Sequence, residues 1–183
     1  THWVGGLGII VIYIAMFPQA GSGAAKMFNA EGAGPTEMRV VPRMKSTANA
    51  LLLMYEFFSV ILTTLLLLCG TSLFDAVNLA MSAIATGGFA TTNGSAADFH
   101  SLPVELVLII FMLIGGGNFG LYFLAYKKGY KHIIRDTEFR VYLAIYGVIT
   151  LLVALNLYDA MGWQPGEALR GAAFQISSIM TTT

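Results

Sequence analysis

The chain has 183 residues, 56% of them hydrophobic and only 11% charged, with a mean hydropathy of +0.71. A soluble domain carries about 25% charge, so composition excludes an ordinary soluble domain and points to a membrane protein. Ten basic and ten acidic residues leave a formal net charge of +0, so no bulk field draws nucleic acid.

In chain order, the opening Thr-His-Trp lacks both a Met and a basic leader, which argues against a signal peptide. With the abrupt stop at Thr181-Thr182-Thr183, both ends are expected to be cuts in a longer chain. Four segments approach the roughly 20 apolar residues needed to cross a bilayer. They are 3 to 17, somewhat short, then 48 to 70, 102 to 126 and 141 to 158. Two further apolar runs, 73 to 85 and 167 to 180, are too short to cross and read as buried or re-entrant helices. The first meets ATGGFATT and the second meets TTT. Cys69 lies in an apolar run and is expected to be a buried thiol. His2, His100 and His132 show no ligand spacing.

Charge orients these segments. Lys26, Arg39, Arg43, Lys45, Lys127, Lys128, Lys131, Arg135 and Arg140 all fall in loops 18 to 47 and 127 to 140, and only Arg170 lies elsewhere. Short basic loops stay cytoplasmic, which places 71 to 101 and 159 to 183 outside. Both short apolar runs then enter from the outer face. The order of helix, short helix and Gly/Thr segment occurs twice, and 73 to 87 aligns without gaps on 169 to 183, with Thr86 on Thr182 and Gly87 on Thr183. VGGLGI, 4 to 9, likewise resembles IGGGNF, 114 to 119.

A short helix ending at membrane depth in Thr-Gly-Gly leaves carbonyls that must be buried in protein or face a water-filled cavity. A dehydrated cation satisfies them, as in a carbonyl-lined selectivity filter. The negative end of the helix dipole adds to this preference. Taken alone, Thr-Gly-Gly reads as a loop between two ordinary helices. The half-length helix before it, the second copy and the charge map favour a pore loop.

SAIATGGFATTNGS, 82 to 95, resembles the second pore loop of the Trk/Ktr/HKT superfamily of potassium transporters. GGGNFGLYFLAYKKGY and RDTEFRVYLAIY, between 115 and 146, resemble the stretch after that loop in the bacterial Trk membrane subunit. HWVGGLGIIVI and FQISSIMTTT resemble the helix after the first pore loop and the third pore loop itself. The resemblance implies an all-α integral membrane protein of four tandem helix–pore helix–filter–helix repeats around one pseudo-fourfold pore. Residues 1–24 then form the last transmembrane helix of repeat one, and 25–47 a cytoplasmic loop. Residues 48–128 form repeat two, with pore helix 72–85, filter 85–89 and closing helix 102–126, and 129–183 carry repeat three up to its filter.

The resemblance further implies K⁺ coordination, mainly by main-chain oxygens, at Thr86, Gly87, Gly88, Thr182 and Thr183, flanked by Ala85, Phe89 and Thr181. It implies potassium uptake across the inner cell membrane, with Na⁺ or H⁺ as alternative ions for selectivity or coupling and no cofactor. It also implies a homodimer and a cytoplasmic nucleotide-binding regulatory subunit. The two basic loops, whose plainer role is contact with anionic lipid, could touch that subunit. The competing reading is a secondary transporter whose broken helices bind substrate at the Gly-rich segment 114–120. No catalytic triad, zinc spacing or phosphate loop argues for an enzyme.

The glycines Gly5, Gly6, Gly8, Gly115, Gly116, Gly117 and Gly120 read as packing notches, with bending of an inner helix as the alternative. Asn118 reads as an interhelical hydrogen-bonding residue or a pore-facing one. Glu105, near an outer end, is expected to be solvated. Glu56 is expected to pair or snorkel near the inner surface. Asp136, Glu138 and Arg140 mark a helix start.

Overall fold

A computed structural model describes residues 2–6, 8, 44–94, 98, 99 and 101–183. The first crossing beyond residue 8, the loop 18 to 47 up to residue 43, and His100 lie outside the described residues. Helix α1 spans His2–Gly6, α2 Met44–Leu68, α3 Leu73–Ile84, α4 Leu102–Gly115, α5 Phe119–Lys128, α6 Lys131–Arg135, α7 Thr137–Met161 and α8 Pro165–Thr181. Two of these, over Ala48–Leu68 and Thr137–Ala160, are long and apolar enough to cross a membrane by length and composition. Both turn large apolar side chains outward, among them Leu53, Phe57 and Val60 on α2 and Val148, Leu152 and Leu155 on α7. Such faces are costly in water and ordinary against lipid. Glu56 is exposed on the same helix as that outward apolar row.

Local chemistry explains the boundaries. The Ser72 hydroxyl accepts from the Asp75 amide at 3.1 Å and donates to the Asp75 carboxylate at 2.6 Å, capping α3. The Ser72 hydroxyl, and after it the Thr91 hydroxyl, hold the Asp75 carboxyl below its ordinary value. Thr91 thereby ties the segment after α3 back to the start of that helix. Asp136 starts α7 by accepting from the Phe139 amide at 2.9 Å. Gly162, at φ 67°, ends it in the left-handed conformation that favours glycine.

The core gathers α3 between α2 and α4. Tyr55, Leu62 and Leu66 of α2 meet Ala76, Leu79, Ala80, Ala83 and Ile84 of α3, with Val104, Leu108 and Met112 of α4 closing the other side. The alanines let helix backbones approach closely, the usual device where hydrophobic burial gives no drive between helices. Cys69 is partly rather than fully buried and packs against this cluster, because it stands just past the end of α2.

The stretch 102 to 126, expected as one crossing helix, is two helices, α4 and α5, bent by 88°. The physical reason lies in residues 115 to 118. Glycines weaken helix continuity, and Asn118 caps α5 by accepting from the Gly120 amide at 3.0 Å. The side-chain oxygen of Asn118 thus serves the start of its own helix. Two carbonyls at the break accept from phenols. Tyr122 donates to the Ile114 oxygen and Tyr142 to the Leu113 oxygen, each at 3.1 Å. Gly115, Gly116 and Gly117 therefore both bend the chain and serve as notches.

The third and fourth elements around this core are joined by charge. Arg170 of α8 pairs with Glu105 of α4 at 3.2 Å, and the Glu105 side chain is only 18% exposed. Glu105 is therefore paired rather than simply solvated. Its partner is the one basic residue outside the two basic loops. Replacing Arg170 with Gln is expected to destabilise the full-length protein by about 0.5–1 kcal/mol, because the pair is half in solvent. The double exchange Glu105→Arg with Arg170→Glu is expected to recover most of the loss. Thermal unfolding of the purified protein in detergent checks both.

Candidate functional site: the ends of two short helices

The ends of α3 and α8 have the same geometry. After α3, the Gly87 amide reaches back to the Ser82 oxygen at 2.8 Å and the Thr86 amide to the Ala83 oxygen at 3.2 Å. After α8, the Thr183 amide reaches the Ser178 oxygen at 2.9 Å and the Thr182 amide the Ile179 oxygen at 3.3 Å. Each pair of bonds is a Schellman turn, which normally puts glycine at the left-handed position. Here threonine holds it twice, with Thr86 at φ 51° and Thr182 at φ 59°. Among the described residues these are the two non-glycine positions with positive φ. A β-branched residue there is a genuine outlier and stores strain of order 1–3 kcal/mol. Strain of this kind persists only where the surrounding structure over-determines it, and glycine would remove it at either site.

Serines brace both ends. The Ser82 hydroxyl accepts from the Phe89 amide at 2.6 Å, and the Ser178 hydroxyl donates to the Thr183 carbonyl oxygen. Thr181 donates to the Ser177 oxygen at 2.7 Å, and the Thr181 and Thr183 hydroxyls lie 2.7 Å apart. The Thr182 hydroxyl donates to the Thr181 oxygen at 2.6 Å. The serines were visible in the sequence, since the gap-free alignment places Ser82 on Ser178.

The two ends also meet. A Cβ added to Gly88, at φ 72°, would stand 2.8 Å from the carbonyl carbon of Thr183. Residues Gly88, Phe89, Ser82, Ser178 and Thr183 line a small cleft at this junction. Helix α1 closes on the other side of the α3 end. The His2 ring lies 4.6 Å from the Phe89 ring, and its side chain sits beside Gly87. Gly6 rests on the backbone of Ala85, and His2, Gly5, Gly6, Ala85 and Thr86 line a second cleft. Ala85 is buried under α1 while Phe89 is exposed. Of the residues singled out from the sequence, Ala85, Thr86, Gly87, Gly88 and Phe89 thus lie around the end of α3 and Thr183 abuts it, while Thr181 packs on Gly116 and Thr182 bonds within its own turn. His2 joins them through tertiary packing alone, which its sequence position does not disclose.

The family described as "TrkH: Cation transport protein" matches residues 1–182. The chain is 35% identical over 186 residues to the Trk system potassium uptake protein TrkH of Vibrio parahaemolyticus, a match covering 99% of this chain and 38% of the relative. It is 33% identical over 184 residues to the TrkH of Escherichia coli K12, again covering 99% of this chain and 38% of that protein. It is 34% identical over 168 residues to the Escherichia coli K12 protein TrkG, covering 88% of this chain and 35% of that protein. The crystal structure of the potassium transporter TrkH from Vibrio parahaemolyticus superimposes with a TM-score of 0.77 at 32% identity, over 97% of this chain and 36% of that one. The chain thus spans about 38% of the length of the relatives it matches. The relatives are membrane transport proteins rather than enzymes, in keeping with the outward apolar faces of α2 and α7. With a family match across nearly its whole length, the chain is an integral membrane protein chain that belongs to the TrkH family of cation transport proteins.

Proposed function

We propose that the chain is part of the translocating subunit of a potassium uptake system, and that the α3 and α8 ends are two of its filter segments. The observation that carries this reading is the pair of identical, threonine-strained turns meeting at Gly88 and Thr183. Helix C-termini carry partial negative charge, and carbonyl oxygens replace the hydration shell of a cation. On this reading Thr86, Gly87, Gly88, Thr182 and Thr183 supply oxygens to K⁺, with Ala85, Phe89 and Thr181 holding them in place. Residues 1–24 end a first repeat, 48–128 form a second and 129–183 begin a third. The basic residues at the end of α5, on α6 and at the start of α7 face the cytoplasm across the inner membrane. A second copy of the subunit and a cytoplasmic nucleotide-binding subunit are the proposed partners, and Na⁺ or H⁺ the candidate coupling ions.

The broken span at 115 to 118 is what a broken-helix transporter would require. That reading places substrate at 114–120, yet protein groups already occupy the break. Phenols donate to two of its carbonyls, and the faces of Gly116 and Gly117 are filled by Thr181 and by the Tyr122 hydroxyl. The filter reading is therefore preferred. It is tested by Rb⁺ uptake into proteoliposomes holding the full-length protein, with K⁺ or Na⁺ as competitor. Strong competition by K⁺ and weak competition by Na⁺ is the expected result. Absence of uptake, or equal competition, removes the proposal.

A further inference from the structure

We infer that Tyr142, on the long helix preceding α8, is a positioning residue for the third filter segment, acting through the break between α4 and α5. The inference rests on the filter reading of Thr181–Thr183. Tyr142 is half-buried, and its hydroxyl donates to the Leu113 oxygen at 3.1 Å. That bond holds the end of α4, whose C-cap is Gly116. A Cβ on Gly116 would stand 2.6 Å from Thr181 Cγ2 and 3.2 Å from the Tyr142 hydroxyl. Tyr142, the Gly116 backbone and Thr181 thus form one contact set. Thr181 is buried, bonds to Ser177 and lies 2.7 Å from the Thr183 hydroxyl, and the Thr183 backbone abuts Gly88. One phenol from the repeat-three helix therefore fixes the backbone of repeat two against which the repeat-three filter end is seated.

The structure supplies its own control. Tyr122 makes the matching phenol bond to the neighbouring carbonyl of Ile114 at the same distance of 3.1 Å, where the Gly117 amide also donates. Its ring packs on Phe58 and Phe119 instead of toward Thr181. A residue that merely holds the break together should behave like Tyr122. A residue that positions the filter should not.

The test compares Tyr142→Phe, Tyr122→Phe and Gly116→Ala in the full-length protein. Each is assayed for Rb⁺ uptake with K⁺ and Na⁺ competition and for amide exchange at Thr182 and Thr183 in lipid nanodiscs. Losing one hydrogen bond of this kind is expected to cut the K⁺ over Na⁺ preference of Tyr142→Phe roughly threefold to tenfold. Gly116→Ala, which presses Thr181 directly, is expected to do the same. Tyr122→Phe is expected to keep the wild-type preference. Exchange at Thr182 and Thr183 should quicken in Tyr142→Phe and Gly116→Ala and not in Tyr122→Phe. If Tyr142→Phe and Tyr122→Phe behave alike, the inference is overturned while the filter reading stands. If the wild type takes up no Rb⁺, the filter reading itself fails. The exchange pattern then decides separately whether Tyr142 holds the α8 end, and unchanged exchange in Tyr142→Phe overturns that too.

Discussion

On the proposal that residues 85–89 line the ion path, Gly88→Ser is expected to abolish the preference for K⁺ over Na⁺ in Rb⁺ uptake by the full-length protein. Two effects act together at this position. Gly88 has φ 72°, where a Cβ costs roughly 1–2 kcal/mol. The new Cβ would also stand 2.8 Å from the Thr183 carbonyl carbon, which is backbone and has no rotamer to yield. One of the two helix ends must move, and both ends, the proposed filter segments, are braced by the Ser82 and Ser178 hydroxyls. A cation held by a few dipoles loses discrimination when their spacing changes by a fraction of an ångström. A drop in the selectivity ratio of about tenfold or more is expected, with K⁺ and Na⁺ then competing nearly equally. Gly87→Ala is the milder comparison, since its Cβ would stand 3.2 Å from the His2 Cβ and Cγ, a contact that a shift of a few tenths of an ångström relieves. A Gly88→Ser protein with intact selectivity would remove residues 85–89 from the ion path.

How far the sequence disclosed this site depends on the kind of signal each part leaves. The short helix α3 was legible at both ends because an apolar run opens it at 73 and Thr-Gly-Gly stops it, and both signals are local. The start of α7 was legible from Asp136 for the same reason, although the helix runs beyond the apolar window 141 to 158 at each end. The break at 115 to 118 was legible only as the second reading, a bend at the glycines, behind that of one continuous span. An apolar window reads glycine as neutral and bridges it, so a terminating glycine followed by a capping Asn looked like an uninterrupted span. The order Gly-Gly-Gly-Asn was nevertheless the available cue, being a helix stop followed by a helix start. Three features left no local trace. These are the pairing of Glu105 with Arg170, the stacking of His2 on Phe89 and the reach of Tyr142 to the Leu113 oxygen. Each joins groups brought together by tertiary packing, and composition carries no record of that. The left-handed threonines fall between the two cases. The alignment matched Thr86 to Thr182, but only the folded backbone reveals that both are strained.

Gly6→Ala is expected to cost about 1–3 kcal/mol of stability and most of the transport activity, through overpacking rather than through any lost bond. Helix α1 lies against the end of α3 with no room for a side chain at this point. A Cβ on Gly6 would meet the Tyr55 hydroxyl at 2.5 Å, the Ala85 Cα at 2.7 Å and the Ala85 Cβ at 2.9 Å. The Tyr55 hydroxyl is not free to leave, because it donates to the Trp3 oxygen at 2.9 Å, and the Trp3 ring in turn donates to Ser59 at 2.9 Å. Ala85 immediately precedes the strained Thr86, so pushing its Cα outward shifts the first of the proposed filter residues directly. Tyr55→Phe added to Gly6→Ala separates the two contacts. Removing the hydroxyl relieves the 2.5 Å clash but leaves the Ala85 backbone where it is. Partial recovery of thermal stability with little recovery of K⁺ selectivity is therefore expected. Full recovery of both would mean that Tyr55, and not the seat of α1 on Ala85, governs this side of the filter.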